Sequence, residues 1–206
     1  MKHVLILATL LISSIYAEEL PSLETFIARR GEMVNEGSVT AKQREFFTKL
    51  LSDNPWIHRI AEIGFNAGHS SETFLQTKSD VHVTSFDIMI HSYCAVAKEY
   101  IDQKYPNRHT LVRGDSKITV KKFAKKQPKL IFDLIFIDGN HNKKHAQNDI
   151  INMEKFSCPH TLLIVDDIDI PSVQRAWDYC VELGIVQQIK RFEGDGRHWL
   201  LARYKK

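Results

Sequence analysis

Five apolar runs in this chain each carry an acid at or near their end. They are Glu62 in IHRIAEIG (57–64), Asp87 in VHVTSFDI (81–88), Asp115 in HTLVRGD (109–115), Asp138 in FDLIFIDG (132–139), and Asp166 with Asp167 in TLLIVDDI (161–168). One aspartate at such a place is ordinary, because Asp ends strands and forms turns. An acid in every run, at intervals of 20 to 30 residues, describes a cluster. Carboxylates gathered at one end of a sheet can hold a hard cation, take the hydroxyls of a ribose, or move a proton.

The first run leads into Gly64-Phe65-Asn66-Ala67-Gly68. Two glycines in a strand-to-helix turn let backbone approach a ligand closely. Asn66 stands where the dinucleotide fingerprint G-x-G-x-x-G has its middle glycine, the residue that lets backbone reach a pyrophosphate. Asp87 follows Gly64 by 23 residues, a distance that suits a carboxylate taking a ribose hydroxyl pair. A ribose acceptor without a pyrophosphate cradle points to a nucleoside with an uncharged tail, of which S-adenosylmethionine is the obvious one.

These residues need a scaffold that brings strand ends together. Between the runs lie helix-compatible stretches at 71–77, 92–105, 118–126, 144–156 and 173–183. Strands apolar almost throughout, alternating with helices, predict a parallel sheet covered on both faces, with ligands outside the carboxyl ends of its strands. Two further helices, 22–30 and 40–52, precede the first strand as a lid or packing layer; Phe46, Phe47, Leu50 and Leu51 recur at helical spacing in the second. At the other end, VQQIKRF and HWLLARY flank Glu193-Gly194-Asp195-Gly196-Arg197, which predicts a terminal hairpin. The expected fold is α/β: a Rossmann-like, doubly wound, mostly parallel sheet with a C-terminal antiparallel hairpin and extra N-terminal helices. One domain is expected over 18–206, its helices in 18–55 and its cofactor-binding core in 56–206.

Residues 1–17, MKHVLILATLLISSIYA, have the parts of a secretory signal peptide: a basic start, an apolar stretch, and Ala17 before Glu18. Ile15 is a poor residue for the cleavage signal, which leaves an uncleaved anchor or a buried helix open. Export is therefore expected, with membrane anchoring or a cytoplasmic location as alternatives. Membrane contact is expected only through residues 1–17, should they stay attached. The whole chain carries 28 basic and 25 acidic residues, a near-neutral balance that does not mark a nucleic-acid binder. Six lysines between Lys117 and Lys129 read as a solvated helix face. Cys94, Cys158 and Cys180 are too few and too scattered for a disulfide framework or a zinc site, and read as small buried side chains.

The chain from about 38 to 204 resembles the class I S-adenosylmethionine-dependent methyltransferases, in particular the small O-methyltransferases of the catechol, caffeoyl-CoA and methyltransferase 24 kind. Glu62, Gly64, Gly68, His69 and Ser70 match that family's E-I-G-x-x-x-G-[YH]-S pattern. The resemblance implies that these residues, with Phe65 and Asn66, line the methionine end of the cofactor. It implies that Asp87, next to Ile88, takes the ribose and that Gly114-Asp115-Ser116 frames the adenine. In the metal-dependent branch an Asp ending strand four and an Asp-Asn pair ending strand five bind a magnesium-type ion. Asp138, Asp166 and Asp167 match these places, Asp138 bordering the cofactor as well, but Asp167 replaces the Asn. Asp167 is thus either a third ligand for Mg2+ or another divalent cation, or a cap for the helix from Pro171 to Leu183. Where catechol-type enzymes carry a catalytic lysine, three residues past the strand-four Asp, this chain has His141.

The expected activity is methyl transfer to the oxygen of a small hydroxyl-bearing substrate, with His141 as base beside Asp138 and a divalent ion assisting. The alternative is an exported, non-catalytic binding module on the same fold. A nicotinamide-dependent oxidoreductase is disfavoured by Asn66, and a nucleic-acid methyltransferase by the charge balance and by Ile137-Asp138-Gly139-Asn140 after strand four. Trp56, Trp177 and Trp199 read more simply as core than as a substrate wall. Arg197 and His198 lie near the hairpin turn, with no spacing that singles them out, and a homodimer is left open.

Overall fold

The computed structural model describes residues 20–206; the expected leader at 1–17 lies outside them. Two helices, α1 (Leu23–Arg29) and α2 (Ala41–Asp53), come first. Strands and helices then alternate: β1 (Arg59–Ile63), α3 (His69–Thr77), β2 (His82–Asp87), α4 (Tyr93–Lys104), β3 (His109–Arg113), α5 (Ser116–Lys126), β4 (Leu134–Ile137), α6 (Lys143–Met153), β5 (Leu162–Val165) and α7 (Pro171–Glu182). The hairpin β6 (Val186–Gly194) and β7 (Arg197–Tyr204) closes the chain. The sheet order is β3-β2-β1-β4-β5-β7-β6, parallel except where β7 runs antiparallel to β5 and β6. This is the doubly wound sheet with a terminal hairpin that the alternation predicts.

Each central strand divides its side chains between two cores. Ile60, Leu134, Phe136, Leu162 and Ile164 face the layer of α1–α4, while Ala61, Ile63, Ile135, Ile137, Leu163 and Val165 face α5–α7. Burial on both faces is why β4 and β5, LIFI and LLIV, contain no polar residue. The N-terminal helices form a packing layer. Phe47 of α2 meets Phe74 of α3 and Phe136 of β4 at centroid distances of 5.0 and 5.2 Å, and all three rings are buried. Phe47→Ala is expected to destabilise the fold by about 3–5 kcal/mol, the usual cost of deleting a buried phenyl ring, read as a lowered midpoint in denaturant.

Capping follows side-chain chemistry. Ser22 caps α1, Asp115 caps α5 and Asn142 caps α6, each accepting a backbone N–H of its own helix. α2 has a reciprocal box in which the Thr40 hydroxyl accepts from Gln43 N and the Gln43 amide oxygen accepts from Thr40 N. Most lysines of α5 point to solvent as expected. Cys158 is partly exposed and Trp56 is 39% exposed, so neither is the core residue the composition suggested; Trp177 and Trp199 are core. Among the described residues no helix is long and apolar enough to cross a membrane.

Candidate active site

After β1 the chain continues to β2 and β3 on one side of the sheet, while β4 and β5 lie on the other. The loops leaving β1 and β4 therefore diverge and leave a crevice at the carboxyl ends. Two adjoining cavities of about 240 and 350 Å³ open there and share Glu36, Gly64, Asn66, Asp138, Gly139 and Asn140.

The turn after β1 is pressed against β4. Gly64 has φ +96°, and a Cβ there would stand 2.0 Å from the backbone oxygen of Asp138. Gly64→Ala is accordingly expected to shift loop and strand apart, lower the melting temperature and empty the crevice of ligand affinity, checked by calorimetry beside the unaltered chain. Asn66 takes the left-handed conformation (φ 47°) at the place of the missing middle glycine, which its short polar side chain tolerates. Its amide donates to the backbone oxygen of Glu36 at 2.8 Å, tying the 31–40 segment across the crevice. That segment is tied from the other side by Glu36 Oε1, 2.7 Å from His91 Nε2, and by the Ser92 hydroxyl on Glu32.

Asp87 holds this loop in place. Its Oδ2 accepts the N–H groups of Phe65 (2.8 Å) and Asn66 (2.9 Å), and its Oδ1 accepts that of Met89 (2.5 Å). The carboxylate still borders the first cavity, with Ile88, Gly114, Asp115 and Ser116 near it. Below them is a group the sequence reading missed. Asp149 is buried and accepts the Ser116 hydroxyl at 2.6 Å, and burial pushes its carboxyl up to about 7.

Phe65, His69 and Ser70 border the second cavity. Glu62 and Gly68 border neither. Gly68 (φ +80°) starts α3, and Glu62 is fully buried beneath it, facing the helix layer rather than a ligand. Its Oε1 accepts the Ser70 hydroxyl, and its Oε2 accepts those of Ser71 (2.6 Å) and Ser85 (2.5 Å). Ser85 in turn meets His109 Nε2 at 2.9 Å. Burial raises the Glu62 pKa against the pull of the three hydroxyls, and drives His109 down to about 3, so that imidazole is neutral. Glu62 therefore anchors the start of α3 to β2 and borders neither cavity.

At the far side of the second cavity the acids of β4 and β5 meet. Asp138, His141 and Asp167 each present one ligand atom within 4.8 Å of the others. Asp167 has φ 53°, a left-handed position that Asp and Asn both adopt readily. Its side chain turns into the crevice, with Oδ2 2.7 Å from His141 Nε2 and Oδ1 accepting Arg197 Nη1 at 2.6 Å. The capping alternative is not realised: α7 starts with Pro171 after Ile170 and has no side-chain cap. Asp166 is also turned elsewhere. Its Oδ2 accepts the Gln43 amide at 2.7 Å and its Oδ1 accepts Asp167 N at 2.9 Å.

The charges follow from these contacts. Burial, then Asp166 and Asp167, raise the Asp138 pKa well above the usual carboxylate range, which favours its neutral form. Burial and Asp167 push Asp166 up to about 6. The His141 and Arg197 contacts outweigh burial at Asp167 and keep it ionised, while Asp167 raises the His141 pKa. The group brought together is thus Asp138, His141, Asp167 and Arg197, rather than three carboxylates. Such a set does not suit a hard divalent ion, which seeks six or more oxygen donors.

Arg197 had a findable signal. It opens a strand running antiparallel to β5, so its end of β7 lies at the carboxyl end of β5. Gln43, which meets Asp166, and Glu36, which borders both cavities, had none, since each comes from a layer outside the alternating pattern.

A family model described as a methyltransferase domain matches residues 61–168. No curated protein matches the chain. Among solved structures, the fold is shared with an O-methyltransferase from Bacillus cereus in complex with SAH, at 18% identity and TM-score 0.74 over 89% of each chain. It is also shared with the O-methyltransferase TomG from Streptomyces achromogenes, involved in tomaymycin synthesis and in complex with SAM, at 18% identity and TM-score 0.73 over 94% of each chain.

Proposed function

The chain belongs to the methyltransferase-domain family, and on that premise we propose that it transfers a methyl group from S-adenosylmethionine to the oxygen of a small hydroxyl-bearing acceptor. The observation that carries this reading is the joining of two cavities across Gly64 and Asp138, with a loop-anchored carboxylate, Asp87, on one and an imidazole, His141, on the other. The first cavity suits a nucleoside. Asp87 offers acceptors for ribose hydroxyls, and Gly114 to Ser116 supply a polar edge held by Asp149. The Gly64 position has no room for a side chain, so at that point backbone borders both cavities.

When bound, S-adenosylmethionine supplies the methyl group on a sulfonium that is its own leaving group. The chain's residues then have to align the acceptor oxygen and take its proton. His141 is the base, since its free-imidazole form exists near neutral pH and the residue borders the second cavity. Asp167 orients and charges it, and Ser172 fixes its backbone by donating to the His141 oxygen at 2.6 Å. Besides Phe65, Val39 and Ala67 the second cavity is lined mainly by polar side chains and backbone, which favours a polyol or sugar hydroxyl over a flat phenol. The test is transfer of labelled methyl from S-adenosylmethionine to a panel of glycosides, polyols and catechols. Label on any hydroxyl acceptor supports the reading; a folded chain that neither binds the cofactor nor labels any acceptor overturns it.

We infer in addition that the 1–17 leader directs export. A mature N-terminus at Glu18 supports this, and an intact Met1 overturns it.

A further inference from the structure

We propose that Arg197 takes the place of the divalent ion implied by the family resemblance, so that this chain carries a fixed positive charge beside its acceptor site and binds no catalytic metal. Four contacts carry the proposal. Arg197 Nη1 lies 2.6 Å from Asp167 Oδ1, and His141 Nε2 lies 2.7 Å from Asp167 Oδ2, so one oxygen of that carboxylate already faces a guanidinium and the other an imidazole. Asp166, the other expected ligand of β5, has one oxygen on the Gln43 amide and the other on a backbone N–H. Among the described residues no side-chain hydrogen bond or ion pair engages the Asp138 carboxylate, and one carboxylate is a weak holder of a hard dication.

The arginine is built in rather than stray. It opens β7, whose pairing with β5 from Leu162–Arg203 to Val165–Leu200 fixes where its backbone stands. About a third of its side chain is exposed, while Asp167 is buried, so solvent screens the contact only in part. A guanidinium does not lose its proton at any working pH, unlike a water on a metal, and its charge cannot exchange with medium. A dication entering here would face Arg197 at close range and would have to take Asp167 from it.

What the charge is used for rests on the methyltransferase reading; the exclusion of the ion does not. The experiment is Mn2+ binding to the full chain, followed by electron paramagnetic resonance, for the unaltered protein, Arg197→Ala and Arg197→Met. The unaltered chain is expected to leave Mn2+ free, and the folded variants, with Asp167 released, to bind it at least about tenfold more tightly. Adding Asp138→Asn to either variant should abolish that gain. Saturable Mn2+ binding by the unaltered chain that Asp138→Asn removes would overturn the proposal. So would folded Arg197 variants that take up no more Mn2+ than the unaltered chain. S-adenosylmethionine binding, measured in the same samples with chelator, reports on the methyltransferase reading separately: its absence would count against that reading and leave the Mn2+ result standing.

Discussion

His141→Ala is expected to lower kcat by about 10²–10⁴-fold, the range for losing a positioned general base, with the affinity for S-adenosylmethionine little changed. The imidazole stands at the edge of the second cavity and about half of it is exposed, so its removal leaves the fold intact. Its pH behaviour gives a sharper readout. The contact with Asp167 raises the His141 pKa above 6.5, burial and Arg197 oppose the shift, and Asp166 adds to it. A base works in its unprotonated form, so activity should climb as pH rises through this raised value and level off above it. Asp167→Asn removes the group that raises it, and the rising limb should move toward lower pH. A kcat/KM profile that keeps the same limb in His141→Ala would sink the assignment.

Asp87→Ala is expected to weaken S-adenosylmethionine binding by about 100-fold or more. Two losses add. The ribose hydroxyls lose a charged acceptor, and hydrogen bonds to charged groups contribute about 1.5–3 kcal/mol each, so a pair reaches that range. The Phe65, Asn66 and Met89 amides lose the acceptor that holds the turn closed. Asp87→Asn keeps the shape with a single neutral acceptor oxygen and should fall between the two. Titration calorimetry decides it, and an affinity in Asp87→Ala equal to that of the unaltered chain would place the cofactor elsewhere.

The fold was legible because its strands are buried on both faces. Runs such as LIFI and LLIV are apolar without interruption, as solvent-facing elements are not, and the acids mark where each run leaves the core. The roles of individual acids were less legible. Glu62 sits in the right motif, but only the register that sets it beside Ser85, and the fall of Ser70 and Ser71 above it, reveal a buried anchor. Asp166 and Asp167 are neighbours with identical side chains, and the left-handed backbone at Asp167 sends one into the crevice while the other turns to Gln43. Arg197 joins the site through an antiparallel return strand: the terminal hairpin is a signal for that strand, while its pairing with β5 is not encoded by spacing along the chain.

Gln43 joins two levels of this architecture. Its amide oxygen closes the box at the start of α2, and its amide nitrogen donates to Asp166. A glutamate would close the same box equally well, since helix starts accept either residue at that position. It would also bring a second carboxylate against Asp166, a buried pair that could stay in contact only by taking up a proton. The choice of the amide over the acid, invisible as a helix signal, is therefore dictated from across the molecule by β5. A position that reads in the chain as helix punctuation is also part of the vocabulary of the active centre.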